Sequence, residues 1–310
     1  MSGPDTSAEQ PLDAVTGAFG YSGGAIAAQL LESGRRVRTL TAHPGRAPSR
    51  TDIEVRPLDF DDRPRLTEAL RGVETLYNTY WIRFRRGALD HATATARSEV
   101  LFQAAADAGV QRVVHLSITH PGIDSPYSYF REKARTEAAL AGTGLPHTIL
   151  RPAILFGGSG VLLNNIAWLL RRLPVFAVGG DGSYRIRGIH VDDLARLCVT
   201  EGSRTGNAVL DAVGPERPTF DELVRTTARA VGSRARLVHV PGALVPPLSS
   251  ALGLLLRDRL LTADEYHAMA DGLADTDGPA TGTTALSDWL RQEGPTLGRH
   301  YANELTRHYR

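Results

Sequence analysis

Apolar positions in this chain fall into short β-branched runs and longer stretches with helical spacing, and the two kinds alternate. Leu12 to Val15 is a short apolar run. A helical pattern through Ile26, Ala27, Leu30 and Leu31 follows and stops near Gly34. Arg36 to Thr41 and Ile53 to Arg56 read as the second and third strands, with Arg63 to Leu70 helical after them. Glu74 to Asn78 reads as a fourth strand, and Asp90 to Ala108 as a long Ala-rich helix closed by Gly109. Arg112 to Ser117, Tyr127 to Ala141 and His147 to Arg151 read as strand, helix and strand. Such alternation through short connections predicts an α/β fold with a doubly wound parallel sheet and right-handed crossovers. Asp13 interrupts the first apolar run and leaves that strand marginal by itself. From about Pro215 the alternation gives way to helices broken by Gly and Pro. The expected organisation is a flexible tail over 1–11, a sheet domain over 12–214 and a smaller, mostly helical C-terminal domain over 215–310.

Composition narrows the class. At 310 residues and 42% apolar content the chain can build a full core. A net charge of +1 gives no reason to expect a nucleic acid or an anionic membrane as partner. The single cysteine, Cys198, excludes an internal disulfide and suits a reducing, cytoplasmic setting. No CxxC or HExxH spacing occurs, so no metal site is expected. Met1 to Pro11 is polar and does not read as a signal peptide. Leu244 to Leu256 is apolar but short and proline-containing, too little to span a bilayer. It is expected as a buried or oligomer-interface helix, which keeps a homo-oligomer among the expectations.

Two local patterns carry chemistry. The first is Thr16-Gly17-Ala18-Phe19-Gly20-Tyr21-Ser22-Gly23, set between a strand and a helix. This is the context in which a glycine fingerprint binds a dinucleotide. Gly17 would permit the turn, Gly20 would admit a pyrophosphate to the backbone, and Gly23 would let helix and strand pack closely. The helix N-terminus would supply free N–H groups for the phosphates. The second pattern is Tyr129-Phe130-Arg131-Glu132-Lys133. Lys133 is the sole lysine beside 34 arginines. Positions i and i+4 share a helix face, so the ammonium can favour the ionised phenol and prepare it for acid/base work.

These motifs occur in order with Arg151-Pro152-Ala153-Ile154-Leu155-Phe156-Gly157 and His190-Val191-Asp192-Asp193-Leu194-Ala195. The set resembles the extended and atypical short-chain dehydrogenase/reductases, the epimerase/dehydratase-like branch, over roughly residues 12–240. The stretch Val37-Arg38-Thr39-Leu40, with Pro44 four residues on, and the helical C-terminus also resemble the atypical members, NmrA-like regulators and the NAD(P)-binding accessory subunit of respiratory complex I. The resemblance implies a Rossmann domain binding NAD(P), with cofactor contacts from Gly17, Phe19, Gly20, Tyr21 and Gly23. It further implies Thr41 and His43 near the adenosine ribose, Asp59 on the adenine amino group and Phe60 against the adenine ring. Asn78 and Thr79 would line the cofactor site, Lys133 would hold the nicotinamide ribose, and Arg151 and Pro152 would lie beside the carboxamide. Tyr129 would be the catalytic acid/base. His190 to Asp193 is expected to be structural, with a carboxylate capping a helix.

The pattern departs from the family where a hydroxyl usually follows strand five. Here the chain reads Leu116-Ser117-Ile118-Thr119, so either Ser117 or Thr119 would hold a substrate oxygen. The helix asparagine of many reductases is replaced around Ala94-Thr95. Residues 156–188 are expected to contribute to the substrate side, through Asn164 and Asn165. Tyr80 and Trp81 would face substrate, and Arg83, Arg85 and Arg86 could clamp an anion or stay solvated. The strand-two end carries no acid, while His43, Arg46 and Arg50 follow it, which favours NADP over NAD. The expectation is an NAD(P)-dependent oxidoreductase or epimerase/dehydratase-type enzyme acting on a small molecule. The alternative is a regulator or accessory protein that binds the cofactor without turnover.

Overall fold

The structure, a computed structural model, describes residues 10–46, 52–85 and 87–304. Its elements run β1 (Leu12–Thr16), α1 (Tyr21–Glu32), β2 (Arg36–Thr41), β3 (Ile53–Pro57), α2 (Arg63–Leu70), β4 (Thr75–Asn78), α3 (His91–Asp107), β5 (Arg112–Leu116), α4 (Ser128–Gly142) and β6 (His147–Pro152). They continue with β7 (Ile154–Phe156), α5 (Val161–Arg172), β8 (Val175–Gly179), β9 (Gly188–His190), α6 (Val191–Gly202), β10 (Ala208–Ala212), α7 (Phe220–Ala230), β11 (Arg236–Val240), α8 (Val245–Leu256), α9 (Ala263–Ala270) and α10 (Leu286–Glu293). A seven-stranded sheet has the order β10-β6-β5-β4-β1-β2-β3. Strand β1 pairs in parallel with β2 and β4, and β2 with β3, β4 with β5 and β5 with β6 likewise. The order reverses between β1 and β4, the point where such sheets open a crevice at their carboxyl ends.

The chain divides into two compact units. The first holds residues up to Ser117 together with 121–150 and 195–210. Its core is built by Leu40, Leu66, Leu70, Leu76, Leu101, Phe102 and Leu140, all fully buried. Helix starts follow their capping chemistry. Asp62 accepts from the Arg65 N–H and Asp90 from the Thr93 N–H, ahead of α2 and α3. Asp13 is fully buried on β1, and its carboxylate is gripped by both the Nε and Nη2 of Arg35, the latter at 2.9 Å. The ionised Asp13 holds the Arg35 guanidinium charged well above the ordinary range. Burial raises the Asp13 pKa and Arg35 opposes that shift, so the pairing offsets part of the cost of an acid at the second position of β1. Arg112 is buried likewise and donates to the Glu201 carbonyl, the Gly206 carbonyl and the Thr148 hydroxyl, tying β5 to the chain around 201–206.

The second unit comprises 118–120, 151–194 and 211–310. Two short parallel sheets, β11-β8 and β7-β9, lie within it. Its core gathers Phe156, Leu163, Ile166, Leu170, Leu223, Val224 and Leu290 from β7, α5, α7 and α10. Full capping boxes open α7 (Thr219 with Glu222) and α9 (Thr262 with Glu265). Asp193 is buried on α6. Its carboxylate accepts from the N–H groups of Thr283 and Thr284 at 2.9 and 2.7 Å, so it fastens a distant loop as well as standing in the first turn of its helix. Helix α8 is not buried as one of the sequence expectations had it. Leu254 and Leu255 are 82% and 79% exposed.

Candidate cofactor and catalytic site

The glycine loop sits between β1 and α1 in the first unit. Gly17 has φ +67°, the left-handed conformation that a tight turn demands and that glycine adopts without strain. Its N–H donates to the Leu40 carbonyl, and its carbonyl accepts from the Gly20 N–H at 2.8 Å. A Cβ on Gly23 would fall 2.3 Å from the Gly17 carbonyl oxygen, so helix and loop approach as closely as backbone allows. Thr39 on β2 pins the loop by accepting from the Ala18 N–H at 3.0 Å. Helix α1 starts at Gly20 with no side chain capping it, which leaves its first N–H groups and positive dipole end for an anion. Phe19 is exposed and Tyr21 half-buried at this end.

Around the loop, the predicted adenosine-side residues lie as follows. The Thr41 hydroxyl accepts from the His43 N–H at 3.2 Å, and His43 is exposed. Asp59 is half-buried and accepts from the Asp61 N–H in its own turn. Phe60 packs on Tyr80 with ring centroids 4.7 Å apart. Tyr80 therefore keeps company with Phe60, while its neighbour Trp81 turns toward Tyr129. The Arg46 side chain, Arg50 and Arg86 lie outside the described residues.

The strand ends are knitted together by Asn78. Its Oδ1 accepts from the Thr16 hydroxyl at 3.2 Å and the Tyr80 N–H at 3.0 Å, and its Nδ2 meets the His115 Nδ1 at 3.1 Å. Asn78 is fully buried, so its amide spaces the ends of β1, β4 and β5. Thr79 donates its hydroxyl to the Thr16 carbonyl at 2.6 Å. Burial pushes His115 well below its ordinary pKa, and the ring stays neutral.

Tyr129 and Lys133 lie one turn apart on α4. The half-buried Tyr129 ring stands edge-on to Trp81 at 5.7 Å and to His91 at 5.3 Å. His91 stacks on Trp81 within 8° of parallel. Its Nε2 meets the Arg83 carbonyl at 3.3 Å and its Nδ1 the Ser128 hydroxyl at 2.8 Å. Because a carbonyl only accepts, Nε2 carries the proton and Nδ1 accepts from Ser128. His91 thereby fastens the loop bearing Trp81 to the start of α4. Lys133 is buried, donates to the Leu116 carbonyl at 2.8 Å and lies 4.2 Å from the Trp81 ring centre. Burial lowers its pKa to about 7, against the pull of Glu137.

Two polar atoms of this unit are buried without a hydrogen-bond partner among the described residues: Trp81 Nε1, in the ring packed on Tyr129 and Lys133, and Ser117 Oγ, next in sequence to the Leu116 carbonyl that Lys133 reaches. Thr119, the other candidate hydroxyl, belongs to the second unit and donates to the Leu273 carbonyl at 2.7 Å. Thr95, at the position of the family asparagine, is bound to the Glu132 carboxylate at 3.0 Å and so ties α3 to α4. In the second unit, Arg151 is half-buried, and the Pro152 carbonyl accepts from the Thr119 N–H. Asn164 and Asn165 clasp the C-terminal segment. The Asn165 amide donates to the Ala302 carbonyl and accepts from the Ala302 N–H, and Asn164 does the same between the His300 carbonyl and the Gly298 N–H. Sequence reasoning passed over His91 and Ser128. A histidine directly after the N-cap Asp90 was the visible signal, but its distance from α4 was not.

Among the described residues there is no cluster of metal-ligating side chains and no helix long and apolar enough to cross a membrane. Residues 17–163 match the NAD(P)H-binding family. The chain is 28% identical to a ceramide reductase from Caulobacter vibrioides, over 91% of this chain and 95% of that one. It is 27% identical to the 40 kDa subunit of NADH-ubiquinone oxidoreductase from Neurospora crassa, over 55% of this chain and 45% of the relative. Its fold is similar to that of an NADPH-dependent quinone oxidoreductase from Escherichia coli, with a TM-score of 0.75, 24% identity and coverage of 91% and 99% of the two chains. With the glycine turn and the reversed strand order in place, residues 17–163 carry an NAD(P)H-binding domain, and the chain is similar to NAD(P)-dependent reductases.

Proposed function

We propose that this protein is an NAD(P)H-dependent reductase of a small, carbonyl-type substrate, with Tyr129 as proton donor. The observation that carries the reading is the buried, unpartnered Trp81 Nε1 in the ring packed on Tyr129 and Lys133, together with a second such atom, Ser117 Oγ, at the end of β5 where Lys133 reaches the Leu116 carbonyl. A buried donor without a partner costs about 1–3 kcal/mol, and a ligand oxygen accepting from it removes that cost. The bound dinucleotide supplies a hydride. The residues supply the rest. Ser117 and Trp81 hold the substrate oxygen, Tyr129 gives it a proton as hydride reaches the attached carbon, and Lys133 orients ribose hydroxyls and, in its protonated form, favours the phenolate left behind. Gly17 to Gly23 and the open end of α1 take the pyrophosphate.

Reductase is favoured over sugar-nucleotide epimerase because both asparagines expected to face substrate have their amides occupied by the 298–302 segment. The similarity to a ceramide reductase agrees with it. The second reading, cofactor binding without turnover, rests on the similarity to the complex I subunit. The test is oxidation of NADPH and NADH, followed by absorbance, against a panel of ketones, enones and quinones. Turnover that Tyr129→Phe lowers at least a hundredfold, with cofactor affinity kept, supports the enzyme. Tight cofactor binding with no turnover across the panel supports the second reading.

A further inference from the structure

Trp81 lies in the connection between β4 and α3, outside any helix or strand. The direction of its indole N–H is therefore set by its neighbours. Two ties bracket it along the chain. Before it, the Tyr80 N–H donates to the Thr16 hydroxyl at 3.0 Å. After it, the Arg83 carbonyl accepts from His91 Nε2 at 3.3 Å. The His91 ring also lies against the indole, with planes 8° from parallel and centroids 6.2 Å apart.

His91 is itself fixed from two sides. It is the first residue of α3, directly after Asp90, whose carboxylate accepts from the N–H and the hydroxyl of Thr93, both at 2.8 Å. Its Nδ1 accepts from the hydroxyl of Ser128, the first residue of α4, at 2.8 Å. Helix α4 starts with no side-chain cap, so the hydroxyl at its first position is spent on His91 and not on its own helix. Ser128 directly precedes Tyr129. One imidazole thus donates to the Trp81 segment, accepts from the Tyr129 helix and packs on the indole, with both nitrogens committed. In the proposed reaction the Trp81 N–H and the Tyr129 hydroxyl meet the same substrate oxygen. We propose that His91, anchored by Ser128, is a positioning residue for substrate. Acting through Trp81, it sets where that oxygen rests relative to Tyr129. This role rests on the reading of the Trp81 N–H as a substrate donor.

The test is a double-mutant cycle on the full chain, read with the ketone, enone and quinone panel. His91→Phe keeps a flat ring against the indole and removes both hydrogen bonds. Substrate KM should rise by about threefold to tenfold, no more than loss of the indole donor itself costs, with NADPH affinity kept. A residue that acts through Trp81 adds nothing once that donor is gone, so Trp81→Phe and W81F/H91F should agree in kcat/KM within about twofold. Losses that multiply, or a His91→Phe chain with parental KM, overturn the proposal. Ser128→Ala, the milder change, gives a second readout that needs neither turnover nor a folded His91→Phe chain. The Trp81 indole N–H is assigned by its loss from the proton–nitrogen correlation spectrum of Trp81→Phe. In Ser128→Ala every ring is kept, and this signal should shift, broaden or split. An unmoved signal overturns the role of His91. A moved signal in a chain that binds cofactor and turns nothing over keeps that role and sinks the reductase reading alone.

Discussion

Lys133 sets its amino nitrogen 4.2 Å from the centre of the Trp81 ring, and Tyr129 stands edge-on to that same indole. Trp81 is thus the shared neighbour through which the acid/base pair is packed. An indole face attracts a cation, and here the contact is desolvated. The indole N–H has no partner among the described residues. The ring therefore does two jobs, one of packing and one left for a ligand.

Trp81→Phe separates them. It keeps an aromatic face toward Lys133 and Tyr129 and removes the unpartnered donor. Substrate KM should rise about tenfold, the worth of one buried hydrogen bond. The melting temperature should hold or rise, because a desolvated donor is gone. A lower melting temperature with unchanged KM would assign Trp81 to packing alone.

Lys133→Met should trade function for stability. The buried amine has a pKa of about 7 against an ordinary 10.5. Between those values the unfolded chain binds the proton and the folded chain does not. Stability attributable to this group therefore rises with pH across that window, by about 1.4 kcal/mol per unit. Below about 7 both states are protonated and the full penalty of burying the charge stands. The methionine variant should accordingly gain most over the parent at about pH 6 and least at about pH 10, read from urea midpoints. Turnover and cofactor affinity should fall at every pH. A variant less stable than the parent at about pH 6 would show that the bond to the Leu116 carbonyl outweighs the desolvation.

The parts of this fold that were legible in the sequence are those set by local pattern. The strand over Arg36–Thr41 and the helix over Arg63–Leu70 match their expected bounds, and other elements of the sheet region differ by a residue or so at an end. What escaped depends on partners far along the chain. Asp13 made its strand look weak because Arg35, which neutralises it, lies 22 residues away. Asn164 and Asn165 read as substrate contacts because nothing in their neighbourhood tells that residues 298–302 return to them. Ser117 and Thr119 were equivalent as letters, and only the acceptor at Leu273 distinguishes them. The exposure of α8 was hidden for the opposite reason, since an apolar run looks the same whether it is covered or not.

Gly23→Ala should abolish cofactor binding and lower stability together. Its methyl group would lie 2.3 Å from the Gly17 oxygen and 2.8 Å from the Gly17 carbonyl carbon, both backbone atoms of the turn. Relief requires α1 to move off β1. Gly20→Ala is milder, with its nearest contact at 3.2 Å, and should cost affinity more than fold. Calorimetric titration and thermal melts of the two variants give the comparison. A Gly23→Ala chain with parental melting and affinity would mean that helix and loop do not touch as described.

Asn165→Leu tests whether the α5 asparagines serve substrate or structure. Both ends of the Asn165 amide are bound to the backbone of Ala302. The variant leaves that N–H and carbonyl without their side-chain partner at the half-buried Ala302, a loss of about 1 kcal/mol or more. The melting temperature should fall and the 298–304 segment should become sensitive to limited proteolysis, while kcat/KM at low temperature stays near the parent. A fall in kcat/KM without loss of stability would return this residue to the substrate.

A preference for NADP is the outcome expected from charge in the sequence at the end of β2. Selection of NAD usually needs an acid there to accept from the adenosine ribose hydroxyls. The strand ends at Thr41, Ala42 and the exposed His43 follow, and the first acid is Asp52. A bare diol finds no acceptor carboxylate at this end. A 2′-phosphate would meet the Thr41 hydroxyl, and the sequence that follows carries the basic residues His43, Arg46 and Arg50. NADP should therefore bind more tightly than NAD at low ionic strength. Charge attraction is screened over about 10 Å at ordinary salt, so raising salt should weaken NADP more than NAD and narrow the gap. Ala42→Asp should reverse the order, since the new carboxylate repels the phosphate and accepts from the diol. Titration of both cofactors at low and high salt, for parent and variant, decides it. Tighter NAD binding by the parent at both salts would sink the assignment and leave backbone contacts as the source of preference.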